Sequence, residues 1–276
     1  MNYQITSEQI ANSLLVRLLK KLTDCFSRMH YDFYVIGATA RDIISIPLNI
    51  TTSTRRTRDL DIAIAIPNWE AFEQIREKLI GEGFEKSKDV RHRFYYENYE
   101  LDVVPYGNIA KEDDNIYWPP EEDIVMSVKG FSEVLADAII VTIDNEFDVK
   151  IASLYGLFIL KFNAWLDRHI KADKDAEDMS FIISSYFDIN FKRDDMPTEV
   201  YEGDFDIYVA GACWLAYDIK QLLDEEQRSY YANCIRDELK KGETSLLVNQ
   251  IIEKDYKLKF EQVKRAWEII ADTLIK

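Results

Sequence analysis

The sequence predicts an α+β protein, in which a mixed β-sheet with helices in residues 1–150 is followed by an α-helical domain in residues 151–276. Three observations lead to this prediction. Short apolar strand-like runs alternate with helical segments before residue 150, helical periodicity dominates after it, and neither part contains an internal repeat or a low-complexity segment. The chain has 276 residues, of which 47% are apolar, so it is long enough to bury a sizeable core.

The elements of the first part follow from periodicity and from glycine and proline positions. Gly37 ends an apolar run, Pro47 ends the short helix that follows, and Pro67 ends a second strand. In chain order we predict a helix at 7–29, a strand at 33–36, a helix at 38–46, a strand at 59–66, a helix at 69–79, strands at 94–99 and 101–104, a polar loop at 106–122 and a weaker strand at 138–143. After residue 151 the helical pattern has one polar interruption, near 188–204.

Composition limits the classes of function. The net charge of −16 disfavours non-specific binding of nucleic acid, so a nucleic-acid substrate would have to meet a local basic patch; a basic partner protein fits the charge equally well. The longest apolar run, residues 151–160, stops at Lys161 and is too short to span a membrane. The first residues lack a signal-peptide pattern, and the three cysteines are far apart, which predicts reduced thiols and a cytoplasmic location.

Three aspartates are the strongest candidates for chemistry. Asp59 and Asp61 alternate with apolar residues on a predicted strand, so their carboxylates leave the same face and can share divalent cations. A solvated strand end would explain this pair alone, but a strand, a glycine turn and a short helix precede it. Asp102 lies between Leu101 and Val103 on a later strand, and if buried it needs a cation or a hydrogen-bonding partner. A neighbouring strand would bring it beside the first two, where it would complete a metal site and act as a general base. An exposed strand edge is the alternative.

The glycine turn at residues 35–44 leads from a strand into a helix. Gly37 permits close backbone approach, and free N–H groups at a helix start bind phosphate. The hydroxyl of Thr39 is placed to add a hydrogen bond to such a phosphate.

The motifs G-A-T-A-R-D-I-I (37–44) and R-D-L-D-I-A-I (58–64) together resemble the DNA polymerase β nucleotidyltransferase superfamily. The resemblance implies that Gly37, Ala38, Thr39 and Arg58 contact the nucleotide, and that Asp59, Asp61 and Asp102 bind two Mg²⁺ ions, or Mn²⁺. The opening is also similar to the tRNA CCA-adding and poly(A) polymerase class, except that Ala38 stands where that class has a second glycine.

The run at residues 157–178 resembles the AbiEii/AbiGii toxin family of nucleotidyltransferases. The resemblance extends over roughly residues 33–220. It implies a catalytic Lys161, a nucleotide-binding Arg168, and a K-D-x-x-D element at Lys174, Asp175 and Asp178. It also implies an RNA or tRNA acceptor and an antitoxin partner. From the residues alone, Lys161 either extends to solvent from an apolar helix face or meets an anion, and residues 174–178 can equally form a solvated face.

Other residues have two readings each. The basic run Arg55, Arg56 and Arg58, which Arg91 and Arg93 are able to join, is either a charged loop or a phosphate-binding patch. Trp118, in a proline-rich loop, either stacks on a base or packs in the core. The three histidines share no spacing, so we assign them no metal site.

The sequence therefore predicts transfer of a nucleoside monophosphate from an NTP to an acceptor hydroxyl, in a cleft between the two halves. RNA is the leading acceptor. A protein or a small molecule such as an aminoglycoside is the alternative, and a non-catalytic nucleotide-binding module is an alternative of another class.

Overall fold

The fold was obtained as a computed structural model that describes residues 2–51, 59–195 and 205–276. Its sheets and helices follow the predicted division into a mixed-sheet part and a helical part, which confirms the α+β class. The chain forms two compact units, Met1–Leu157 and Phe158–Lys276. The boundary between the units falls within one helix, Leu154–Arg168.

The first unit is built on an eight-stranded mixed sheet with the order β1-β9-β10-β2-β3-β6-β5-β4. Its strands are β1 (Asn2–Ile5), β2 (Phe33–Ile36), β3 (Asp59–Ala65), β4 (Glu85–Lys86), β5 (Arg93–Tyr96), β6 (Tyr99–Tyr106), β9 (Ile139–Ile143) and β10 (Phe147–Ile151); β7 (Asn115–Tyr117) and β8 (Val125–Ser127) pair separately. Neighbours β3 and β6 are parallel, whereas β2 and β5, which flank them, are antiparallel to them. This arrangement puts the two aspartate-bearing strands side by side near the middle of the sheet.

The α-helices that lie wholly within the described part of this unit are α1 (Ser13–Met29), α2 (Gly37–Ser45), α3 (Trp69–Gly81) and α4 (Phe131–Ala136). Asn12 starts α1 by accepting a hydrogen bond from the Leu15 amide at 3.1 Å, and Asn68 starts α3 in the same way. One face of the sheet is apolar and buried, since β3 contributes Leu60, Ile62 and Ile64 to the core. The opposite face of β3 and β6 carries acidic side chains instead.

The second unit is helical among its described residues. Its helices are the remainder of α5 (Leu154–Arg168), then α6 (Lys174–Asn190), α7 (Ile207–Leu222), α8 (Glu225–Leu239), α9 (Leu246–Lys254) and α10 (Phe260–Ile275). Trp165, Trp214 and Trp267 are all buried, so aromatic side chains fill much of its core. Gly211 on α7 allows α6 to approach closely, because a Cβ there would lie 2.1 Å from the carbonyl oxygen of Ile183. No helix in the described ranges is both long and apolar enough to cross a membrane.

The structure differs from the sequence prediction in several places. The predicted helix at 7–29 is broken at Ala11, which has a φ of 40°, so a short 3₁₀ turn precedes α1. Strands β1 and β10 were not predicted, and the predicted strand at 94–99 is interrupted by a turn at Glu97. The polar segment at 106–122, predicted to be a loop, contains the short strand β7.

Candidate active site

Carboxylates converge on one face of two neighbouring strands. In the parallel register of β3 and β6, Asp61 pairs with Asp102 and Asp59 pairs with Glu100. Residues paired in this way project to the same face of a sheet, about 5 Å apart. A neighbouring strand was expected from the sequence to bring Asp102 beside Asp59 and Asp61, and in the structure β6 places Asp102 beside Asp61. Glu100 was not singled out, although its position two residues before Asp102 repeats the spacing of Asp59 and Asp61.

The glycine turn presses directly against this acidic face. Gly37 is the first residue of α2 and has a φ of 71°, which L side chains rarely adopt. A Cβ built on it would lie 2.2 Å from Oδ2 of Asp61 and 3.2 Å from the Asp61 Cβ. Glycine is therefore required here on two counts, backbone conformation and space. The contact places the Asp61 carboxylate at the N-terminal end of α2, where the helix dipole is positive.

Thr39 and Ala38 occupy the first turn of α2. Thr39 is buried, and its hydroxyl donates a hydrogen bond of 2.8 Å to the carbonyl oxygen of Asp59. Thr39 thus holds the start of β3 against α2. The predicted contact of this hydroxyl with a phosphate stays a prediction. Ala38 is partly exposed beside Gly37.

Asp102 is held by Arg93 from the adjacent strand β5. Nε and Nη2 of Arg93 donate to the two carboxylate oxygens of Asp102 at 2.7 and 2.8 Å, and Nη1 lies 2.6 Å from Glu100. A bidentate guanidinium–carboxylate pair of this kind is strong and directional. It raises the pKa of Arg93, with the Asp102 hydrogen bonds as the main cause. Asp102 lies between the apolar residues Leu101 and Val103, and Arg93 is the cationic partner that this position was expected to need.

His92 lies behind the same carboxylate, with Nε2 3.8 Å from Oδ2 of Asp102. Burial lowers the pKa of this imidazole, and the positive charge of Arg93 lowers it further, while the negative charge of Asp102 acts in the opposite direction. His92 is therefore a neutral side chain near pH 7 that packs between Asp102 and Trp118, whose ring centroid is 5.4 Å from its own.

The donor chemistry of this face fits a hard divalent cation, because carboxylate oxygens are the ligands that Mg²⁺ prefers. Within the described ranges, however, no three acidic, histidine or cysteine side chains form a group that could hold a metal ion. Both carboxylate oxygens of Asp102 accept hydrogen bonds from Arg93, so a cation at Asp102 would share that carboxylate with the guanidinium. Asp59 and Asp61 on β3 are the residues that would hold a divalent cation beside it.

The predicted basic run cannot be placed against this site, because Arg55, Arg56 and Arg58 lie outside the described residues. Arg91, which we grouped with it, contacts the carbonyl oxygen of Trp118 at 3.0 Å and the carboxylate of Glu121 at 2.5 Å. Trp118 itself is buried against Trp69, so its side chain serves the core rather than an open stacking surface.

The cations predicted from the helical half are engaged with acids of the second unit. Lys161 lies 2.5 Å from Asp178 and 3.4 Å from Asp175, and Arg168 donates two hydrogen bonds to Asp175 at 2.7 and 2.8 Å. Asp175 is fully buried, which corrects the alternative of a solvated face at residues 174–178. Burial by itself raises the pKa of Asp175, but the hydrogen bonds from Arg168 and the charge of Lys161 outweigh it and lower the pKa overall. Lys174 is exposed at the start of α6.

Comparisons with known proteins add a structural likeness. No family model matches the chain, and neither does any curated protein. A solved structure to which it is similar is the solution structure of the antibiotic-resistance factor ANT(2'')-Ia. The alignment covers 82% of this chain and 97% of that chain, with 15% sequence identity and a TM-score of 0.36. A likeness of that degree carries no argument about activity, so any assignment of function has to come from the residues of the chain itself.

Proposed function

We propose that the chain is a metal-dependent nucleotidyltransferase, which moves a nucleoside monophosphate from an NTP to an acceptor hydroxyl and releases pyrophosphate. The observation that supports it most is the arrangement of Gly37, Asp61 and Asp102. A glycine turn that opens a helix packs on one aspartate, and that aspartate is register-paired with another on the next strand. A turn that exposes backbone N–H groups, next to carboxylates, suits a polyphosphate with its counter-cations.

In the proposed reaction, an oxygen of the acceptor hydroxyl attacks the α-phosphorus of the NTP. The bond from that phosphorus to the bridging oxygen breaks, pyrophosphate leaves, and the hydroxyl proton passes to a carboxylate oxygen of Asp102. Asp59 and Asp61 would hold the divalent cations, with Asp102 as a third ligand. Mg²⁺, when bound, neutralises phosphate charge and stabilises the attacking and leaving oxygens.

Arg93 is a positioning residue in this scheme. Its two hydrogen bonds fix the plane of the Asp102 carboxylate. The amide groups of the first turn of α2, at Gly37 and Ala38, are the proposed phosphate ligands. Roles for Arg58, Lys161 and Arg168 at the nucleotide stay predictions from the resemblance.

The acceptor proposed here is RNA, with tRNA as the specific case implied by the toxin-family resemblance. An antitoxin partner and a cytoplasmic location belong to the same proposal. The resemblance is the support for the toxin assignment, whereas the RNA acceptor has a separate basis in a basic pocket of the first unit that is described below.

The test incubates the full chain with each α-labelled NTP, Mg²⁺ and three acceptor pools: total RNA, total protein and a small-molecule extract. Label is expected in RNA. The variant Asp59→Asn/Asp61→Asn should reduce transfer on the order of 100-fold or more. Its matched control is Glu146→Gln/Asp148→Asn, which neutralises two exposed acids at the same spacing in the same unit and should keep full activity.

The outcomes separate the alternatives. Label confined to protein or to small molecules would reject the RNA acceptor and keep the nucleotidyltransferase. An unconsumed NTP in every pool, with the chain folded, would contradict the proposed activity and favour the non-catalytic module.

A further inference from the structure

A cavity of about 460 Å³ opens beside the β4–β5 hairpin of the first unit. Two tryptophans and four cationic side chains line it, and we call it the basic–aromatic pocket: Trp69, Arg76, Lys86, Lys88, Arg91 and Trp118. Among the described residues that line it, Glu73 is the only acid. The concentration of positive charge is unusual in a chain with 50 acidic and 34 basic residues, so the pocket is a local exception to the acidic composition.

Its two lysines are available for a ligand. Lys86 and Lys88 are exposed, and neither forms an ion pair with any residue in the described part of the chain. The two arginines are partly used, since Arg76 pairs with Glu73 and Arg91 pairs with Glu121. A ligand that carries one or two negative charges would therefore meet unneutralised ammonium groups first.

Two buried N–H groups of the lining lack acceptors. The indole N–H of Trp118 and the Nε of Arg76 are buried without a hydrogen-bond partner among the described residues. Buried donors of this kind are rare in folded proteins, and an unmade hydrogen bond is costly. Arg76 and Trp118 both line the pocket, so these two donors lie in its wall. Trp69 is partly exposed and adds an aromatic surface, with its ring centroid 4.9 Å from that of Trp118.

Two side chains, Trp118 and His92, link the pocket to the Asp102 carboxylate of the candidate active site. The Trp118 ring packs on His92 at 5.4 Å between centroids, and Nε2 of His92 is 3.8 Å from Asp102. These residues all belong to the first unit. Trp118 and His92 therefore connect the wall of the pocket to the Asp102 carboxylate.

We propose that the basic–aromatic pocket binds one nucleotide of a single-stranded RNA acceptor, with the base against Trp69 and the backbone phosphate at Lys86 and Lys88. The identification of this RNA as the acceptor rests on the proposed function. Single strands present the unstacked bases that aromatic side chains bind, whereas a duplex hides them. A polycationic acceptor such as an aminoglycoside would be repelled by the same four cations.

The test measures binding of a fluorescein-labelled single-stranded RNA octamer to the full chain by anisotropy, without NTP or Mg²⁺. At low salt, Lys86→Glu/Lys88→Glu should weaken binding about 10-fold or more. The matched control, Lys257→Glu/Lys276→Glu, makes the same charge change at exposed lysines of the second unit and should leave the affinity within about 2-fold of wild type. Trp69→Ala should weaken binding by about 5-fold to 100-fold, and Trp69→Phe, which keeps a ring, by less.

Three results would overturn the inference: equal RNA affinity in the lysine variant and the wild type, a nucleoside monophosphate or inorganic phosphate that binds as tightly as the octamer, or duplex RNA that binds more tightly. The proposed activity fails separately. If RNA binds as expected and no NTP is consumed, the RNA-binding pocket is supported and the nucleotidyltransferase activity is contradicted. If RNA is labelled but the lysine variant binds it with unchanged affinity, the activity is supported and the pocket is contradicted.

Discussion

Gly37 and Asp61 illustrate how a single contact limits the sequence of the candidate site. The carboxylate oxygen of Asp61 occupies the place where a side chain on Gly37 would begin. A change of rotamer moves that oxygen away, but the Asp61 Cβ remains 3.2 Å from the same point. Any residue other than glycine thus displaces β3 or α2, the two elements that carry the proposed phosphate and metal ligands.

Gly37→Ala should lower the free energy of unfolding by more than the roughly 1–2 kcal/mol expected for an alanine in a left-handed conformation. Gly83→Ala is the control, because Gly83 also has a positive φ, of 90°, but open space around it. Urea unfolding of both variants, alone and combined with Asp61→Ala, measures the difference. Asp61→Ala should reduce the cost of Gly37→Ala and leave that of Gly83→Ala unchanged. Equal costs for the two glycines would contradict the close approach.

Lys161 is a candidate functional residue whose charge is already paired with carboxylates of the chain itself. Its ammonium group and Asp178 have side chains only 13% and 11% exposed, so each charge depends on the other. Removal of one member of a buried pair leaves the other charge unpaired, which costs about 3–5 kcal/mol. From the sequence, Lys161 either extended to solvent or met an anion; in the structure it belongs to an ion network with Asp178, Asp175 and Arg168.

Lys161→Met should therefore destabilise the chain by about 3 kcal/mol, measured by urea unfolding. Lys264→Met provides the control, since Lys264 pairs with Glu268 at 3.8 Å on an exposed surface, and it should cost less than about 1 kcal/mol. The double variant Lys161→Met/Asp178→Leu should recover much of the loss. Unchanged stability in Lys161→Met, together with weaker NTP binding, would show that this lysine serves the nucleotide and not the fold.

At the scale of elements, local signals predicted the strands that carry the site and missed those that complete the sheet. Alternation and flanking glycine or proline residues located β2, α2 and β3 to within a few residues. Strand β1 has four residues and a polar composition, and its partner β9 lies more than a hundred residues away, so the decisive pairing is non-local. Pairing across a sheet is not encoded in any short segment.

The candidate site was likewise predicted from local signals, whereas the partner of Asp102 was not. The apolar flanks of Asp102 indicated that it needs a partner, and Asp59 and Asp61 indicated a shared face. The identity of that partner depends on the β5–β6 register, in which Arg93 faces Asp102 across a turn at Glu97. A register shift of one residue moves every side chain of a strand to the opposite face of the sheet. The Arg93–Asp102 pair could therefore not be deduced without the geometry of the hairpin.

The packing of α6 against α7 depends on one glycine in a helix, where alanine would ordinarily be favoured by about 1 kcal/mol. Gly211→Ala should instead destabilise the second unit by about 1–3 kcal/mol, because its Cβ would meet the backbone carbonyl of Ile183 at 2.1 Å. Gly81→Ala, at the end of α3 with open space around it, should be neutral or stabilising. Thermal unfolding of both variants gives the comparison, and a stabilised Gly211→Ala would show that the two helices are farther apart.

On the scale of the whole molecule, the net charge of −16 and the basic–aromatic pocket have opposite effects on a polyanion. Screening confines each field to about 8–10 Å at ordinary salt, so attraction at the pocket and repulsion elsewhere can coexist. The consequence is a small electrostatic footprint. An RNA strand would be held at a few phosphates and would be repelled by acidic surface beyond them.

The salt dependence of RNA binding measures this footprint. Each phosphate neutralised in a single strand contributes about 0.7 to the slope of log affinity against log salt concentration. The pocket offers four cations, two of them already paired with acids, so the slope should lie between about −1 and −3. Lys86→Glu/Lys88→Glu should bring it close to zero, and Lys257→Glu/Lys276→Glu should leave it unchanged. A slope steeper than about −5 would require more cations than the pocket contains and would place RNA binding on another basic segment of the chain.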